Sequence, residues 1–368
     1  MSGIINLKGS LARILRGALL WHVRELLGAK GGPLAATFQL TNRCNLRCVM
    51  CNIPNNPAQG VLHLESFTKI ARELNGLGCC FASLSGGEVL TIPGFFDYVR
   101  EAKSNIASVN MVTNGLLVDE DVARNIRQSG IDSVSISLDG MREAHERTRN
   151  CPGAFDKTVA AIELIKKLSP KTKIVVNTVI TPWNISELYE LTGFVEGLGV
   201  RQKFQPLNEH PRFEGQTRPY SVEKDGKFDP AQVRDLVDFL LKKKNVANSR
   251  YFLESIPAYL LGGPKGGLFA DRCHLPRFYC EFREDGRMYP CLGGMNWKSG
   301  YPVELGVKNI FYDSGYAKDV KRLEGCKACQ TSYSVCYIEP RVAFPAKSFL
   351  KYGLMTYLKK TKRWRRAR

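Results

Sequence analysis

The sequence predicts an α/β fold, and two observations carry that prediction. Short apolar runs at 36–41, 80–85, 108–113, 132–138, 173–180 and 200–206 alternate with helical stretches at 65–76, 94–104, 119–129, 154–168 and 184–197. Strand and helix in alternation are the pattern of βαβ units on a parallel sheet. Six such strands are fewer than the eight of a closed barrel. The second observation is a break at Gly262-Gly263-Pro264-Lys265-Gly266-Gly267, past which cysteines crowd the chain. A smaller cysteine-rich domain is expected there.

The 368 residues suffice for one large barrel and a small domain. Charge is the unusual quantity: 53 basic against 35 acidic residues leave +18, which favours anionic partners. The first residues lack the apolar core and small-residue cleavage site of a signal peptide. No apolar run approaches the ~18 residues of a membrane span. The twelve cysteines therefore read as reduced thiols and metal ligands, and the expected address is the cytoplasm.

Residues 4–28 read as an amphipathic helix. Leu7, Leu11, Ile14, Leu15, Ala18, Leu19, Leu26 and Leu27 recur at helical spacing, punctuated by Lys8, Arg13, Arg16 and Arg24. The bland reading is a helix capping the barrel; the sharper one is an interfacial helix lying on a membrane. Residues 1–34 form this helix and its linker. Residues 35–262 form the barrel and a following helical segment, with a Pro- and Gly-rich linker or substrate loop at 208–230. Residues 263–340 form the cysteine-rich domain, and 341–368 a basic, aromatic tail.

Chemistry enters with Cys44, Cys48 and Cys51. No single helical or strand period puts all three on one face, but a loop can converge them on a soft metal. Structural zinc usually takes four protein ligands, whereas a [4Fe–4S] cube on three thiolates keeps one iron open. Ser85-Gly86-Gly87-Glu88 ends the second strand, and paired glycines let a backbone approach a ligand closely. Thr113-Asn114-Gly115 follows the third strand. Ser137 and Asp139 close the fourth, where a hydroxyl and a carboxylate can bond ribose hydroxyls. His145, Arg147 and Arg149 lie in an expected loop and are read first as solvated charges. Cys79 and Cys80, leading a strand, are read as buried structural thiols.

The second cysteine set is Cys273, Cys280, Cys291, Cys326, Cys329 and Cys336. Residues 278–291 read as a hairpin turned by Asp285-Gly286, and Cys326-Lys327-Ala328-Cys329 as a CxxC knuckle. A zinc ribbon is the alternative for this set.

The spacing of Cys44, Cys48 and Cys51, followed in order by Leu84-Ser85-Gly86-Gly87-Glu88, Val112-Thr113-Asn114-Gly115 and Ser135-Ile136-Ser137-Leu138-Asp139-Gly140, resembles the radical S-adenosylmethionine (radical SAM) family over about 35–207. Met50 stands where that family often has an aromatic residue. The second set resembles its SPASM or shorter twitch extension. The resemblance implies an open (β/α)6 TIM-like partial barrel. It implies a [4Fe–4S] cluster on Cys44, Cys48 and Cys51, with S-adenosylmethionine on the open iron. Gly86, Gly87 and Glu88 would hold the methionine amino group. Thr113 and Asn114 belong to the third-strand motif, and Ser137, Asp139 and Asn177 would hold the ribose. It implies at least one auxiliary [4Fe–4S] cluster, on Cys273, Cys291, Cys326 and Cys329, with Cys280 and Cys336 as substitutes or ligands of an incomplete second one.

The implied reaction is reductive cleavage of S-adenosylmethionine to a 5′-deoxyadenosyl radical. That radical abstracts hydrogen from an unactivated carbon, with electrons from a flavodoxin or ferredoxin. The auxiliary cluster would take an electron from the substrate or ligate it. Basic residues beside apolar and aromatic ones at both ends point to an anionic membrane surface, at the inner face, and to a lipid-linked substrate. The alternatives are a maturase of a ribosomal peptide and, in another class, a zinc-bearing basic nucleic-acid-binding protein.

Overall fold

The computed structural model describes residues 2–26, 31–55, 60–207, 227–262, 273, 275–291, 300–326 and 339. Six strands follow the order of the chain: β1 (Ala35–Thr41), β2 (Phe81–Gly86), β3 (Ser108–Thr113), β4 (Ser133–Ser137), β5 (Lys173–Ile180) and β6 (Arg201–Pro206). Each pairs parallel with the next. The helices between them are α2 (Leu64–Leu77), α3 (Phe95–Asn105), α4 (Glu120–Ser129), α5 (Arg142–Arg149), α6 (Ala154–Leu168) and α7 (Leu188–Gly197), with α1 (Ser2–Leu26) ahead of β1. Strands that advance in one direction, joined by right-handed crossovers, carry every connecting helix on one face. Such a sheet curls with its helices outside.

The strand sequences alternate to match. Phe38, Leu84, Met111, Ile136, Val176 and Phe204 are fully buried against the helices. The other face carries Gln39, Ser83, Asn110, Ser133, Ser135 and Lys203, so the inside of the curl is polar rather than a packed core. Its lower part is a closed belt: Asn110 donates to Ser83 Oγ and accepts from Ser133 and Ser135.

One strand was not foreseen in its place. The expected hairpin is present as β7 (Tyr279–Arg283) and β8 (Arg287–Tyr289). But β7 also pairs parallel with β1, and β9 (Tyr301–Pro302) continues the sheet to nine strands in the order 6-5-4-3-2-1-7-8-9. The cysteine-bearing region is thus stitched to the barrel sheet rather than set apart from it. Gln39 Nε2 donates to Glu281 Oε1 across that seam at 2.7 Å. After β6 the helical stretch expected at 230–262 is two helices, α8 (Pro230–Lys242) and α9 (Arg250–Gly262). The linker at 208–226, the glycines at 263–267 and the tail lie outside the described residues.

The first helix covers the base. Ile14, Gly17, Ala18 and Trp21 face inward at helical spacing. Trp21 is buried among Leu34, Cys80 and Phe278, and its indole N–H donates to the Arg277 carbonyl at 3.1 Å. A Cβ on Gly17 would meet Cys80 Sγ at 2.1 Å, so the glycine sets how closely the helix docks. Leu34 and Cys80 precede β1 and β2, which places this contact at the N-terminal ends of the strands.

Candidate active site at the C-terminal ends of the strands

The loop that follows β1 holds Cys44, Cys48 and Cys51 at the opposite end, where parallel barrels carry their chemistry. Cys48 is buried and the other two are half-buried. Burial, reinforced by Cys48, Glu88 and Cys51 nearby, pushes the Cys44 thiol up to about 11. The loop is fixed from several sides. Gly87 N–H donates to Thr41 O, Glu88 N–H to Arg43 O, and Val49 N–H to Thr148 O. Gly87 has a steric reason to be glycine: a Cβ there would lie 2.1 Å from Arg43 O and 3.1 Å from Cys44 Cβ. The end of β2 therefore presses directly on the cysteine loop. Among the described residues no three His, Cys, Asp or Glu side chains form a closed metal-holding group. The three thiols share a braced loop, and their softness and number are what fit an iron–sulfur cluster with one open iron.

Glu88 is the brace between strands. Its Oε1 accepts from Thr113 Oγ1 at 2.8 Å and from Leu90 N–H at 3.1 Å, and its Oε2 from Asn114 N–H at 2.7 Å. It has no exposed surface, and burial raises its pKa despite those donors. Asn114 Nδ2 in turn donates to Asn45 Oδ1 inside the cysteine loop. Thr113, Asn114 and Glu88 thus form one network beneath the loop, which spends the Glu88 carboxylate internally.

Two residues read as solvated are buried. Residues 142–149 form α5 rather than a loop, and they turn His145 and Arg149 inward. The Arg149 guanidinium stands between the two halves of the site. One nitrogen lies 2.6 Å from Asp139 Oδ2 and another 3.8 Å from Cys48 Sγ. Burial opposes its charge, but Asp139 and Cys48 outweigh that and hold it above the ordinary arginine value. Asp139 is likewise fully buried, and Val179 N–H donates to its Oδ1. The carboxylate expected to reach a sugar is instead a partner for Arg149. Arg147, by contrast, packs over the Trp183 ring.

Ser137 and Asn177 do face the polar inside of the curl, at matched register on β4 and β5. Asn177 is matched in turn by Lys203 on β6, a residue to which the motifs gave no role. At the level below, Arg283 on β7 sits opposite Gln39, and its Nη1 has no partner among the described residues.

The second cysteine set gathers elsewhere. Cys273 and Cys291 are buried in one small cluster with Trp21, Leu34 and Cys80, and Cys326 packs against it. This is the base of the barrel, about 20 Å from the first loop along a seven-residue strand. Cys280 faces the other way, into the helix-covered core beside Phe282, and burial raises its thiol well above the usual range. Its placement separates it from Cys273 and Cys291 and corrects its reading as a substitute ligand. Cys80, set aside as structural, packs among them. Cys329 and Cys336 lie outside the described residues.

Comparison with known proteins agrees with this geometry. The model of the radical SAM superfamily matches residues 38–195. The AdoMet-dependent heme synthase of Methanosarcina barkeri is 31% identical over 179 residues, 48% of this chain and 50% of that protein. The chain thus spans half the length of this relative. The mycofactocin maturase MftC of Mycolicibacterium smegmatis is 25% identical over 307 residues, 81% of this chain and 74% of that one. Streptococcus suis SuiB, solved with S-adenosylmethionine, superposes with a TM-score of 0.62 at 16% identity, over 84% of this chain and 74% of its own. The same protein has been solved with its precursor peptide SuiA. The match covers the cysteine loop and every strand motif up to Asp139, which leaves the zinc-bearing nucleic-acid reading without support. Residues 38–195 thus carry a radical SAM superfamily domain, and a cysteine-bearing region follows it.

Proposed function

We propose that the chain is a radical SAM enzyme acting on a polar substrate taken into the mouth of the open barrel, with a peptide as the favoured class. When bound, a [4Fe–4S] cluster and S-adenosylmethionine supply one-electron cleavage of the sulfonium and hydrogen abstraction from an unactivated carbon. Cys44, Cys48 and Cys51 would hold the cluster, Gly86 and Gly87 the methionine amino group, and Ser137 and Asn177 the ribose. Glu88, Thr113 and Asn114 hold the cysteine loop against the strand ends. Asp139 holds Arg149, whose charge lies beside the Cys48 sulfur. Cys273, Cys291, Cys326 and Cys329 would hold an auxiliary cluster. Its place at the base favours electron traffic over ligation of a substrate at the mouth. A flavodoxin or ferredoxin is the expected electron donor.

The observation that carries this reading is the linkage of the cysteine loop to the ends of β2, β3 and β4 through Glu88, Asn114 and Arg149. The polar inner face favours a polar substrate. The maturase MftC and the peptide-bound SuiB, as relatives, favour a peptide. A second reading, a lipid-linked substrate at the inner membrane face, rests on the exposed apolar side of α1. That helix covers the end of the barrel opposite the cysteine loop, which weighs against it.

The test is the triple variant Cys44→Ala/Cys48→Ala/Cys51→Ala, purified without oxygen. It should lose cleavage of S-adenosylmethionine to 5′-deoxyadenosine and retain about four irons per chain, the content of one cube. Undiminished cleavage would sink the assignment. Stoichiometric zinc in place of the retained iron would overturn the auxiliary cluster.

A further inference from the structure

The inner face of the sheet divides into a part that is satisfied and a part that is not. Low in the curl, Ser83, Asn110, Ser133 and Ser135 bond one another, and Glu281 accepts from Gln39 and from the Tyr279 hydroxyl. Near the mouth, Ser137, Asn177 and Lys203 stand side by side on β4, β5 and β6. All three are half-buried. Among the described residues, none of these side chains makes a hydrogen bond or ion pair. Arg201, two residues before Lys203 on the same face, has no partner there either, and burial lowers its pKa. Two neighbouring half-buried cations thus stand on one strand with no carboxylate partner among the described residues. Natural sequences rarely leave such groups unmatched without a ligand. Arg283 is paired with Glu284 at 2.9 Å, whereas Arg201 and Lys203 have no carboxylate partner among the described residues, so this stretch of β6 favours negative charge.

We propose that Lys203, supported by Arg201, is the anchor for an anionic group of the substrate, a carboxylate or a phosphate. The proposal rests on the radical SAM reading in one respect: Ser137 and Asn177 are taken as the cofactor's sugar contacts. Neighbouring strands lie about 4.8 Å apart. An anion held on β6 therefore brings the adjoining carbon of the substrate beside the sugar, where hydrogen abstraction has to occur. Lys203 in this role is a specificity-determining residue. A substrate with its anionic group removed loses a partner and leaves two half-buried cations unmatched.

The experiment reads the Lys203 amine directly. The anaerobically purified full-length protein is treated with N-hydroxysuccinimidyl acetate, and acetylation of Lys203 and of the exposed Lys69 is followed by peptide mass spectrometry. Inorganic phosphate and citrate serve as the two probes, one for each source of negative charge. At ten times its dissociation constant, the matching anion should slow acetylation of Lys203 about tenfold and leave Lys69 unchanged. The probe that protects identifies the group. Protection should shrink severalfold in Arg201→Gln. Equal rates with and without both anions, or equal protection of Lys69, overturn the anchor. Equal protection by S-adenosylmethionine alone also overturns it, because Lys203 would then face the cofactor. Failure of the function reading appears separately, as no binding of S-adenosylmethionine in equilibrium dialysis. That result would leave an anion site but overturn its assignment to a radical substrate.

Discussion

His145 shows how a single buried side chain couples the site to pH. Asp139 N–H donates to its Nδ1 at 3.1 Å, so the neutral ring carries its proton on Nε2, which is buried without a partner among the described residues. Burial first, and the Arg149 charge second, hold its pKa down at about 4, against the upward pull of Asp139. The unfolded chain takes up this proton near 6.5, the ordinary value, and the folded chain only near 4. Between those values the unfolded state binds more protons. The contribution to stability is therefore complete above about 6.5 and is lost as pH falls toward 4, on the order of 3 kcal/mol in all. Glu88, with its carboxyl raised by burial, works in the opposite sense. A comparison with His145→Asn, which keeps an acceptor for Asp139 N–H, isolates the histidine. The urea midpoint of the wild type should drop more steeply than that of the variant between about pH 7 and pH 4.5. Parallel slopes would show that His145 does not titrate as its surroundings imply.

At the scale of elements, the least secure piece by sequence is among the best anchored. Helix α1 precedes the barrel, yet Trp21 makes edge contact with Phe278 at 5.7 Å, and Arg24 donates to Leu77 O at 3.0 Å. Trp21→Ala should cost about 3 kcal/mol and expose α1 to proteolysis near Arg13 and Arg16. Protease resistance equal to wild type would mean that the helix is held by other contacts. The strands and their helices were legible because each keeps one apolar period along its length, and β5 falls on the residues expected, 173–180. Helix α5 was not legible, because its buried face is Ala144, His145, Thr148 and Arg149 rather than an apolar stripe. With it went the burial of Arg149 and the diversion of Asp139 from a sugar. The parallel pairing of β7 with β1 was also hidden, since no local signal reports a partner more than 200 residues away. The motifs at the strand ends were legible in position. Their division into residues open to the inside of the curl, such as Ser137 and Asn177, and braces, such as Glu88 and Asp139, depends on burial that only the fold reveals.

The whole molecule poses a question of orientation. It carries a net charge of +18, and no helix among the described residues is long and apolar enough to cross a membrane. With Ile14, Gly17, Ala18 and Trp21 turned inward, α1 leaves Leu15, Leu19 and Val23 exposed at 59%, 65% and 41%, one above another on its outer side. Arg13 and Arg16 flank them in the open. An apolar ridge between cations suits an anionic lipid surface, with about 1 kcal/mol from each basic side chain near it. Because α1 lies at the N-terminal ends of the strands, docking would seat the base of the barrel on the membrane and turn the mouth toward water. We therefore expect an enzyme held at a membrane that takes its substrate from the aqueous side. Full-length protein should sediment with vesicles containing phosphatidylserine and not with phosphatidylcholine alone, and added salt should release it. The Leu15→Ser/Leu19→Ser variant should lose this binding, whereas Leu117→Ser, at an exposed apolar residue far along the chain, should keep it. Equal sedimentation with neutral vesicles, or binding indifferent to the α1 serines, would refute docking through this face. Preference for RNA over anionic vesicles would transfer the basic charge to the nucleic-acid alternative while leaving the barrel's chemistry as described.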